Sequence, residues 1–447
     1  MPHSKPATPT ASLSIFDGVA MLVGIVIGIG IFRTPSLVAA NVGSEAAFIG
    51  VWVLGGIVTL AGALCYAELG SAHPNAGGEY HYLSRAYGHA VGVLFAWARG
   101  TVIQTGAIAA VAFVYGDYAN VVVPLGSQGP AIHAAIAVAV FTGINLIGTK
   151  QGTLTQHIFT VLDVAALLII VIAALILMGS GGPAKAPVSA PPPFAAVGLA
   201  MVFVLLTYGG WNEASYLSAE LRDVRRNMVR TLLISTGFVV LVYVLVNLAY
   251  LGVLGLQGLR QTNTAAADLM RLAGGNIGAL ILSIFICCAA LSTLNASIFT
   301  GARIYYALGR DVHALRMLGI WNLRGRHPSN GFLLQGAISL ALVGLGALTP
   351  DGFRTMVEYT APVFWLFMLL VGISLFILRR REPNGEIPYR VPLYPLTPIV
   401  FCASCAWLLY SSLAYTGLGA FVGVAVLIAG VPLLLIARRQ TPASDRP

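Results

Sequence analysis

Two apolar stretches of this sequence carry glycines where a membrane-spanning helix should be most regular. The first stretch, VGIVIGIGIF, contains Gly28 and Gly30, and the second, TYGGWNEAS, contains Gly209 and Gly210. Glycine costs about 1 kcal/mol relative to alanine inside a helix, and it permits backbone angles that other residues avoid. The pattern therefore predicts two helices that are interrupted near the middle of the bilayer.

An interrupted helix offers polar backbone groups for binding. The half-helix after a break presents amides with a partial positive charge, and the half-helix before it presents carbonyls with a partial negative charge. In hydrocarbon such groups persist only where protein or a polar ligand meets them, so a zwitterion with a carboxylate and an ammonium fits. The alternative is close helix packing, because Gly24 and Gly28 have the small-x-x-x-small spacing of packed transmembrane helices.

The composition places both stretches in a membrane protein. Hydrophobic residues make up 57% of the 447 residues and charged residues 9%, with a mean hydropathy of +0.85, whereas about a quarter of a soluble domain is charged. This excludes an ordinary soluble enzyme. Apolar runs of bilayer length, roughly 20 residues each, occur at 13–40, 46–68, 89–116, 130–148, 158–179, 194–218, 231–256, 276–303, 331–349, 356–378, 394–416 and 418–437. The sequence predicts an all-α membrane protein with 12 transmembrane helices.

The matched depth of the two glycine pairs predicts an internal repeat. Each pair lies about 15 residues after its helix begins, and an odd number of helices separates the two, so the halves have opposite orientation, as in many transporters. Lys and Arg concentrate in the loops on the side that holds both ends, so both termini are expected to be cytoplasmic. The predicted organisation is a cytoplasmic tail at 1–12, a transporter domain at 13–437 with inverted repeats at 13–179 and 194–378 and two additional helices at 394–437, and a cytoplasmic tail at 438–447.

Four motifs make the chain resemble a known family. They are VGIVIGIGIF in the first helix, CYAELGSAHPNAGGEYHYLSRAYG at 65–88, TYGGWNEASYLSAEL in the sixth helix and LNASIFTGARIYYALGRD at 294–311. On these motifs the chain resembles the amino acid–polyamine–organocation (APC) transporters, and within them the bacterial relatives of the L-type amino acid transporters. The resemblance covers nearly the whole chain and implies a LeuT-like fold, in which two inverted sets of five helices have broken first helices and two further helices follow.

The resemblance also implies where a substrate amino acid binds. Its carboxylate would meet the backbone amides of Ile29, Gly30 and Ile31, next to Gly28. Its ammonium would meet the carbonyls of Val26 or Ile27 on the first helix and of Leu206 and Gly209 on the sixth. Tyr208, Trp211 and Asn212 would line or gate the pocket, beside Gly210. Relatives often have serine where this chain has Ile29, and an aromatic gate where it has Leu206, so their substrate range does not transfer directly.

A buried acidic residue is the candidate for ion coupling. Many relatives carry a lysine in the fifth helix that fills the place of a sodium ion, whereas this chain reads TVLDV, with Asp163. Asp163 lies about 14 Å into its helix at 1.5 Å per residue, and an ionisable residue at that depth is a functional hypothesis. It could bind sodium or a proton, with Ser292, Thr293 and Asn295 supplying further oxygen atoms. The alternative is a static ion pair with Arg99.

Other polar residues have weaker interpretations. Glu68 and Arg303 are expected in an ion-pair network at the cytoplasmic end, and Arg33 either attracts a carboxylate or extends its charge to the membrane surface. His133 and His157 are expected to be polar residues at helix ends. A metal site is not expected at the loop histidines 73, 81 and 89 or at the C-x-x-C pair 402 and 405, because no further ligand residues lie near them in the sequence. No cofactor is expected.

The residues together predict a secondary transporter of small neutral L-amino acids that works by alternating access, as an exchanger or by ion-coupled uptake. The alternative on the same fold is transport of a polyamine or a cationic amino acid, for which Asp163 and Glu213 are candidate partners. An alternative from another class of protein is a membrane nutrient sensor or a channel. An enzyme is not expected, no GxxxxGK nucleotide site occurs, and no nucleic acid is needed to explain the basic loops. The loop at about 117–130 has no cysteine, so no disulfide-linked heavy subunit is expected.

Overall fold

The structure is a computed structural model that describes residues 14–75, 77–147, 153–179, 196–217, 221–322, 328–382, 387–414 and 417–432. The predicted tails at 1–12 and 438–447 lie outside the described residues. Helices make up most of the described chain. Its helices are α1 Ile15–Val26, α2 Thr34–Ala40, α3 Glu45–Ala72, α4 Gly78–Tyr87, α5 His89–Ala98, α6 Thr105–Val122, α7 Gly129–Ile147, α8 Thr153–Gly179, α9 Ala196–Thr207, α10 Ala214–Leu217, α11 Val224–Arg260, α12 Ala265–Asp311, α13 Ser329–Ala347, α14 Gly352–Arg381, α15 Leu396–Ala414 and α16 Leu418–Ala429.

The lengths and apolar character of these helices are those of a multi-pass membrane protein. In the described part of the chain, eight helices are long and apolar enough to cross a membrane, counting α5 and α6 as one span joined by a π-helical turn at Arg99–Gln104. Four shorter apolar helices accompany them, at Ile15–Val26, Val164–Gly179, Ala196–Thr207 and Leu418–Ala429. Large side chains such as Ile147, Leu175 and Ile277 are exposed on the outside, where a lipid environment would cover them. The prediction of an all-α membrane protein is confirmed.

Two groups of contacts fix the ends of the bundle. We call the end at which α1 begins the near side and the opposite end the far side. On the near side, Arg379 in the last turn of α14 pairs with Glu68 in the last turn of α3. On the far side, Arg260 at the end of α11 donates to the carbonyls of Ala39 and Val42, at 2.9 and 2.7 Å. The ends of α3 and α14 therefore lie together on the near side, and the end of α11 lies beside the end of α2 on the far side.

The glycine-rich segments lie in the middle of this bundle. The helix α1 packs against α11 and against a 3₁₀ turn at Trp211–Glu213, while α2 packs against α9. The helix α3 covers both α9 and α11. The glycine-rich breaks of the first and sixth predicted spans are thereby brought side by side.

Candidate functional site

The first break lies between α1 and α2. The helix α1 ends at Val26, Gly28 is extended with φ −95° and ψ 176°, and the chain then forms a 3₁₀ turn at Ile29–Phe32. The amide of Gly28 donates to the carbonyl of Val26 at 2.7 Å. As at any helix start, the first amides of the new turn have no acceptor within it. The predicted interruption is confirmed, and the amides of Ile29 and Gly30 are the groups that it presents.

The second break lies between α9 and the turn at Trp211–Glu213. The helix α9 ends at Thr207, the amide of Gly209 donates to the carbonyl of Leu206 at 3.1 Å, and Gly210 has a φ of +104°. This angle lies in the left-handed region that only glycine adopts readily. A Cβ atom at Gly210 would also lie 3.2 Å from the carbonyl oxygen of Ile25, so backbone angle and close approach both require glycine. The second predicted interruption is also confirmed.

The two breaks adjoin each other. Besides its approach to Ile25, Gly210 lies against the backbone of Val26, and a Cβ atom at Gly30 would lie 3.5 Å from the side chain of Thr207. The partly exposed positions here are Gly28, Gly30, Leu206, Gly209 and Gly210, whereas Val26, Ile27, Ile29, Ile31, Tyr208, Trp211 and Asn212 are buried. Four of these five partly exposed positions are glycines, and they lie beside the exposed side chain of Ile25.

The predicted lining residues have partners of their own. Tyr208 is fully buried, with its hydroxyl donating to the carbonyl of Trp52 at 3.1 Å. The ring of Trp211 packs edge-on against Tyr66, with 4.9 Å between centroids. Asn212 donates to Glu79 at 3.1 Å. These three side chains are buried next to the second break and are held by their own contacts. Their roles in lining or gating a pocket stay predictions.

A tyrosine that the sequence patterns did not single out supports the first break. Tyr243, in the middle of α11, is fully buried and its hydroxyl donates to the carbonyl of Val26 at 2.9 Å. Its ring stacks at a tilt on Tyr208, with centroids 5.3 Å apart. The hydrogen bond satisfies the carbonyl that α1 leaves at its end. A tyrosine within an apolar span is a visible signal, but its target carbonyl lies 217 residues away.

On the near side, an arginine joins two carboxylates. We call Arg99, Glu79 and Glu213 the near cluster. The Nη1 atom of Arg99 lies 3.0 Å from Oε2 of Glu79, and its Nη2 atom lies 2.7 Å from Oε1 of Glu213. Glu79 also accepts a hydrogen bond from the hydroxyl of Tyr66 at 2.7 Å. Burial raises the pKa of Glu79, and the positive charge of Arg99 opposes that rise. The cluster ties the turn after the second break to α4 and to the π-helical turn.

On the far side, a second arginine joins two more carboxylates. We call Arg33, Asp117 and Asp351 the far cluster. The Nε atom of Arg33 lies 3.2 Å from Oδ2 of Asp117, and its Nη2 atom pairs with Asp351. Arg33 is 1% exposed. The prediction that Arg33 extends its charge to the membrane surface is wrong, because its guanidinium is buried and pairs with the two carboxylates inside the protein.

The candidate ion-coupling residues are described only in part. Asp163 lies in α8, which packs against α12, but its side chain is outside the described residues. On α12, Thr293 donates to the carbonyl of Ala289 at 3.2 Å, and Oδ1 of Asn295 accepts from Asn145 at 2.7 Å. Ser292 is partly exposed. The described partners of Arg99 are Glu79 and Glu213, and the coupling role of Asp163 stays a prediction.

The remaining charged and cysteine residues resolve more simply. Glu68 forms an ion pair with Arg379, as predicted for the near side. Arg303 belongs to none of the described ion pairs. Its guanidinium lies over the ring of Phe299, 3.8 Å from the ring centroid. Among the described residues, no group of three or more His, Cys, Asp or Glu could hold a metal ion. Cys402 and Cys405 are free thiols within α15. The Nε2 atom of His133 donates to the carbonyl of Val123 at 2.9 Å, while the side chain of His157 lies outside the described residues.

Comparison with known proteins identifies relatives along nearly the whole chain. The family model described as amino acid permease matches residues 13–432. The chain is 28% identical over 405 residues to the b(0,+)-type amino acid transporter 1 of Mus musculus, covering 88% of this chain and 81% of the relative. The human protein of that name is 29% identical over 399 residues, covering 87% and 80%. The large neutral amino acids transporter small subunit 2 of Mus musculus is 30% identical over 436 residues, covering 95% and 80%.

Proposed function

The chain belongs to the amino acid permease family, and we propose that it moves small neutral L-amino acids across the cytoplasmic membrane by alternating access around the junction of its two helix breaks. The family and its relatives are amino acid transporters and not enzymes. The observation that carries the proposal is the meeting of two glycine-lined backbone interruptions, at Gly28–Gly30 and Gly209–Gly210. A zwitterion supplies the two charges that such a junction can satisfy.

We infer that the eight long and four shorter apolar helices make twelve spans arranged as two inverted repeats and a final pair. The breaks after α1 and after α9 support the repeat, because each follows a helix of 12 residues. The basic loops on the near side support a cytoplasmic location for both termini. The repeats correspond to 13–179 and 194–378, and the final pair to 394–437.

The substrate contacts follow from the hydrogen bonds at the breaks. The amides of Ile29, Gly30 and Ile31 are proposed to hold the substrate carboxylate. The carbonyl of Val26 already accepts from Tyr243 and Gly28, so Ile27 is the better partner for the ammonium on the first helix. On the second break we assign the carbonyl of Gly209 and that of Leu206, which accepts one hydrogen bond, from the amide of Gly209 at 3.1 Å, and has room for a second.

The preference for a neutral side chain follows from the charges around the junction. The described residues 22–32 and 205–212 include no charged side chain. The nearest carboxylate along the chain, Glu213, pairs with Arg99 at 2.7 Å. A third substrate charge would meet no opposite charge on these segments, and burying an unpaired charge is strongly unfavourable. The observation that favours a cationic substrate is the exposed fraction of Glu213, 34%, and a lysine competitor tests it.

Coupling and partners complete the proposal. We propose that Asp163 binds a proton or sodium ion, so Asp163→Asn should remove the dependence of uptake on pH or sodium. A relative is named as a small subunit, but the loop at about 117–130 lacks the cysteine for a disulfide to a heavy subunit. We therefore expect transport by the chain alone.

The test is uptake of a radiolabelled amino acid into proteoliposomes, with a panel of unlabelled amino acids as competitors. Neutral amino acids should compete, and lysine and polyamines should not. Measurements with and without pH, sodium and counter-substrate gradients distinguish exchange from ion-coupled uptake. Saturable binding without stoichiometric uptake would instead support a sensor, and conductance without saturation would support a channel.

A further inference from the structure

A cavity lies on the near side, away from the junction of the breaks. Its volume is about 370 Å³, and it is lined by the ends of α3 and α14, by α4 and by Glu382 and Ile387 after α14. Small-molecule sites in proteins have volumes of about 300 to 1,000 Å³. Six of its lining side chains are titratable, and these are Glu68, His73, His81, Arg85, Arg379 and Glu382.

The carboxylates in this cavity are already engaged. Glu68 accepts from Nε and Nη2 of Arg379, each at 2.5 Å, and from the amide of Val391 at 2.6 Å. The Oε1 atom of Glu382 accepts from Nε of Arg85 at 2.8 Å. The acceptors of the cavity are thus largely satisfied by its own arginines.

The donors of the cavity exceed its acceptors. A guanidinium carries five N–H groups, and the bonds to Glu68 and Glu382 use two of those of Arg379 and one of those of Arg85. His73 and His81 are half-buried, and neither ring forms a hydrogen bond within the described part of the chain. A ligand rich in acceptor oxygens would provide hydrogen-bond partners for the remaining N–H groups of the arginines and histidines.

The electrostatics of the two histidines would couple anion binding to pH. Burial lowers the pKa of His73 and of His81, and the positive charge of Arg85 lowers both further, while Glu382 opposes the shift. Glu68 also opposes the shift at His73, whereas His81 lowers the pKa of His73 further. An anion bound among these groups would favour the protonated imidazoles.

We propose that this cavity is a binding site for an anion that carries a carboxylate or phosphate group, recognised by Arg85, Arg379, His73 and His81. The ligand is either a soluble metabolite or the headgroup of an anionic lipid, since both present the same oxygens. The site is separate from the junction of the breaks and does not depend on which amino acid is transported.

The position of the site gives it a consequence for the near cluster. His81 and Arg85 lie one turn apart on α4 and face the cavity, whereas Glu79 and Tyr82 on the same helix are buried. Glu79 is the carboxylate that meets Arg99. A bound anion would therefore hold α4 in the arrangement in which the near cluster is formed.

Thermal unfolding of the purified full-length protein in detergent tests the proposal. The melting temperature is followed against inorganic phosphate, against potassium chloride of matched ionic strength, and against dioctanoyl phosphatidylglycerol, at pH 6 and pH 8. We expect a saturable rise with phosphate or with the lipid that is absent in chloride, with tighter binding at pH 6. Saturation by phosphate identifies a soluble anion, and saturation by the lipid alone identifies a headgroup.

Substitutions assign the effect to the cavity. His81→Gln and Arg85→Gln should each weaken binding about tenfold, because each removes a charge-assisted hydrogen bond, and His81→Gln should reduce the difference between the two pH values. Glu382→Gln should instead strengthen binding, since it frees Arg85. The controls are His313→Gln and Arg316→Gln, both exposed on the near side. Equal shifts in phosphate and chloride, or binding unaltered by all three cavity variants, would overturn the proposal.

Discussion

The two ends of the bundle are each closed by an arginine between two carboxylates, but the two clusters differ in burial. In the far cluster, the side chains of Arg33, Asp117 and Asp351 are 1%, 12% and 22% exposed. In the near cluster, Glu79 is 5% exposed, but Arg99 is 14% and Glu213 is 34% exposed. The carboxylate that belongs to the broken sixth span is thus the most solvated member of either cluster.

This difference indicates which side separates more readily. Breaking a buried ion pair by removing one partner costs about 3–5 kcal/mol, whereas a solvent-exposed pair contributes about 0–1 kcal/mol. Opening the far side requires Arg33, itself next to the first break, to leave both carboxylates. Opening the near side can begin at the solvated pair of Arg99 and Glu213. We therefore expect the near side to open at lower cost.

The largest effect is expected for Arg33→Gln, which leaves Asp117 and Asp351 unpaired in the far cluster. The free energy of unfolding should fall by about 3 kcal/mol or more. The matched control is Arg271→Gln, also on the far side, because the side chains of Arg271 and its partner Asp268 are 46% and 30% exposed and the pair should contribute less than about 1 kcal/mol. Denaturant unfolding of the purified protein measures both, and equal losses would contradict the assigned burial of the far cluster.

Arg99→Gln should have a smaller, pH-dependent effect in the near cluster. Burial raises the pKa of Glu79 above its ordinary 4.5, and removal of Arg99 removes the main opposing charge. A carboxyl group with a raised pKa binds protons more tightly in the folded protein, so stability is full below 4.5 and is lost as pH rises through the folded-state pKa. The melting temperature of the variant should fall more steeply with pH than that of the wild type. Parallel curves would show that Arg99 does not control Glu79.

Tyr243→Phe should have an effect of about 1 kcal/mol, the net contribution of one hydrogen bond. The variant loses the donor to the carbonyl of Val26 at the first break, so we expect an apparent affinity for substrate about fivefold weaker. The control is Tyr87→Phe, which loses a hydroxyl that donates to the carbonyl of Leu370 at 2.8 Å, far from the breaks. Uptake kinetics measure the apparent affinity of both variants. An equal loss of affinity in Tyr243→Phe and Tyr87→Phe would contradict a specific role of Tyr243 at the first break.

The smallest effect is expected for Glu213→Gln, which removes the solvated pair of the near cluster and keeps the buried one. Stability should change by less than about 1 kcal/mol. The rate of substrate release on the near side should rise, because the ion pair that joins Arg99 to the turn after the second break is lost. A loss of stability as large as that of Arg33→Gln would erase the difference between the two clusters.

Local pattern was enough to predict the breaks and the helical class. Gly28, Gly30, Gly209 and Gly210 signal interruption within their own spans, and the interruptions occur there. Contacts between distant segments were not predictable. Arg33 meets Asp351 across 318 residues, so only folding shows that its charge is neutralised inside. Asp351 had a readable role as the N-cap of α14, where it accepts from Arg354, but its second contact had no local signal.

Glu79 shows the same limit at shorter range. It lies inside the motif GGEYHYLSRA, where Gly78, Tyr82, Leu83 and Ala86 form the buried face of a short helix. That face could have indicated a buried carboxylate. Its partner Arg99 could not be identified, because the sequence offered Asp163 at a similar depth in another helix.

Uptake by Gly30→Val in proteoliposomes tests the central claim most directly, that the exposed backbone at the junction of the breaks binds the substrate. A Cβ atom at Gly30 would lie 3.5 Å from Thr207, an ordinary contact, so the fold should tolerate a small side chain there. The control is Gly50→Val, at an exposed position with nothing within 4 Å of the added atom. We predict that Gly30→Val abolishes amino acid uptake while Gly50→Val retains it. Intact uptake by Gly30→Val would show that the glycines serve close helix packing and would contradict the proposed site.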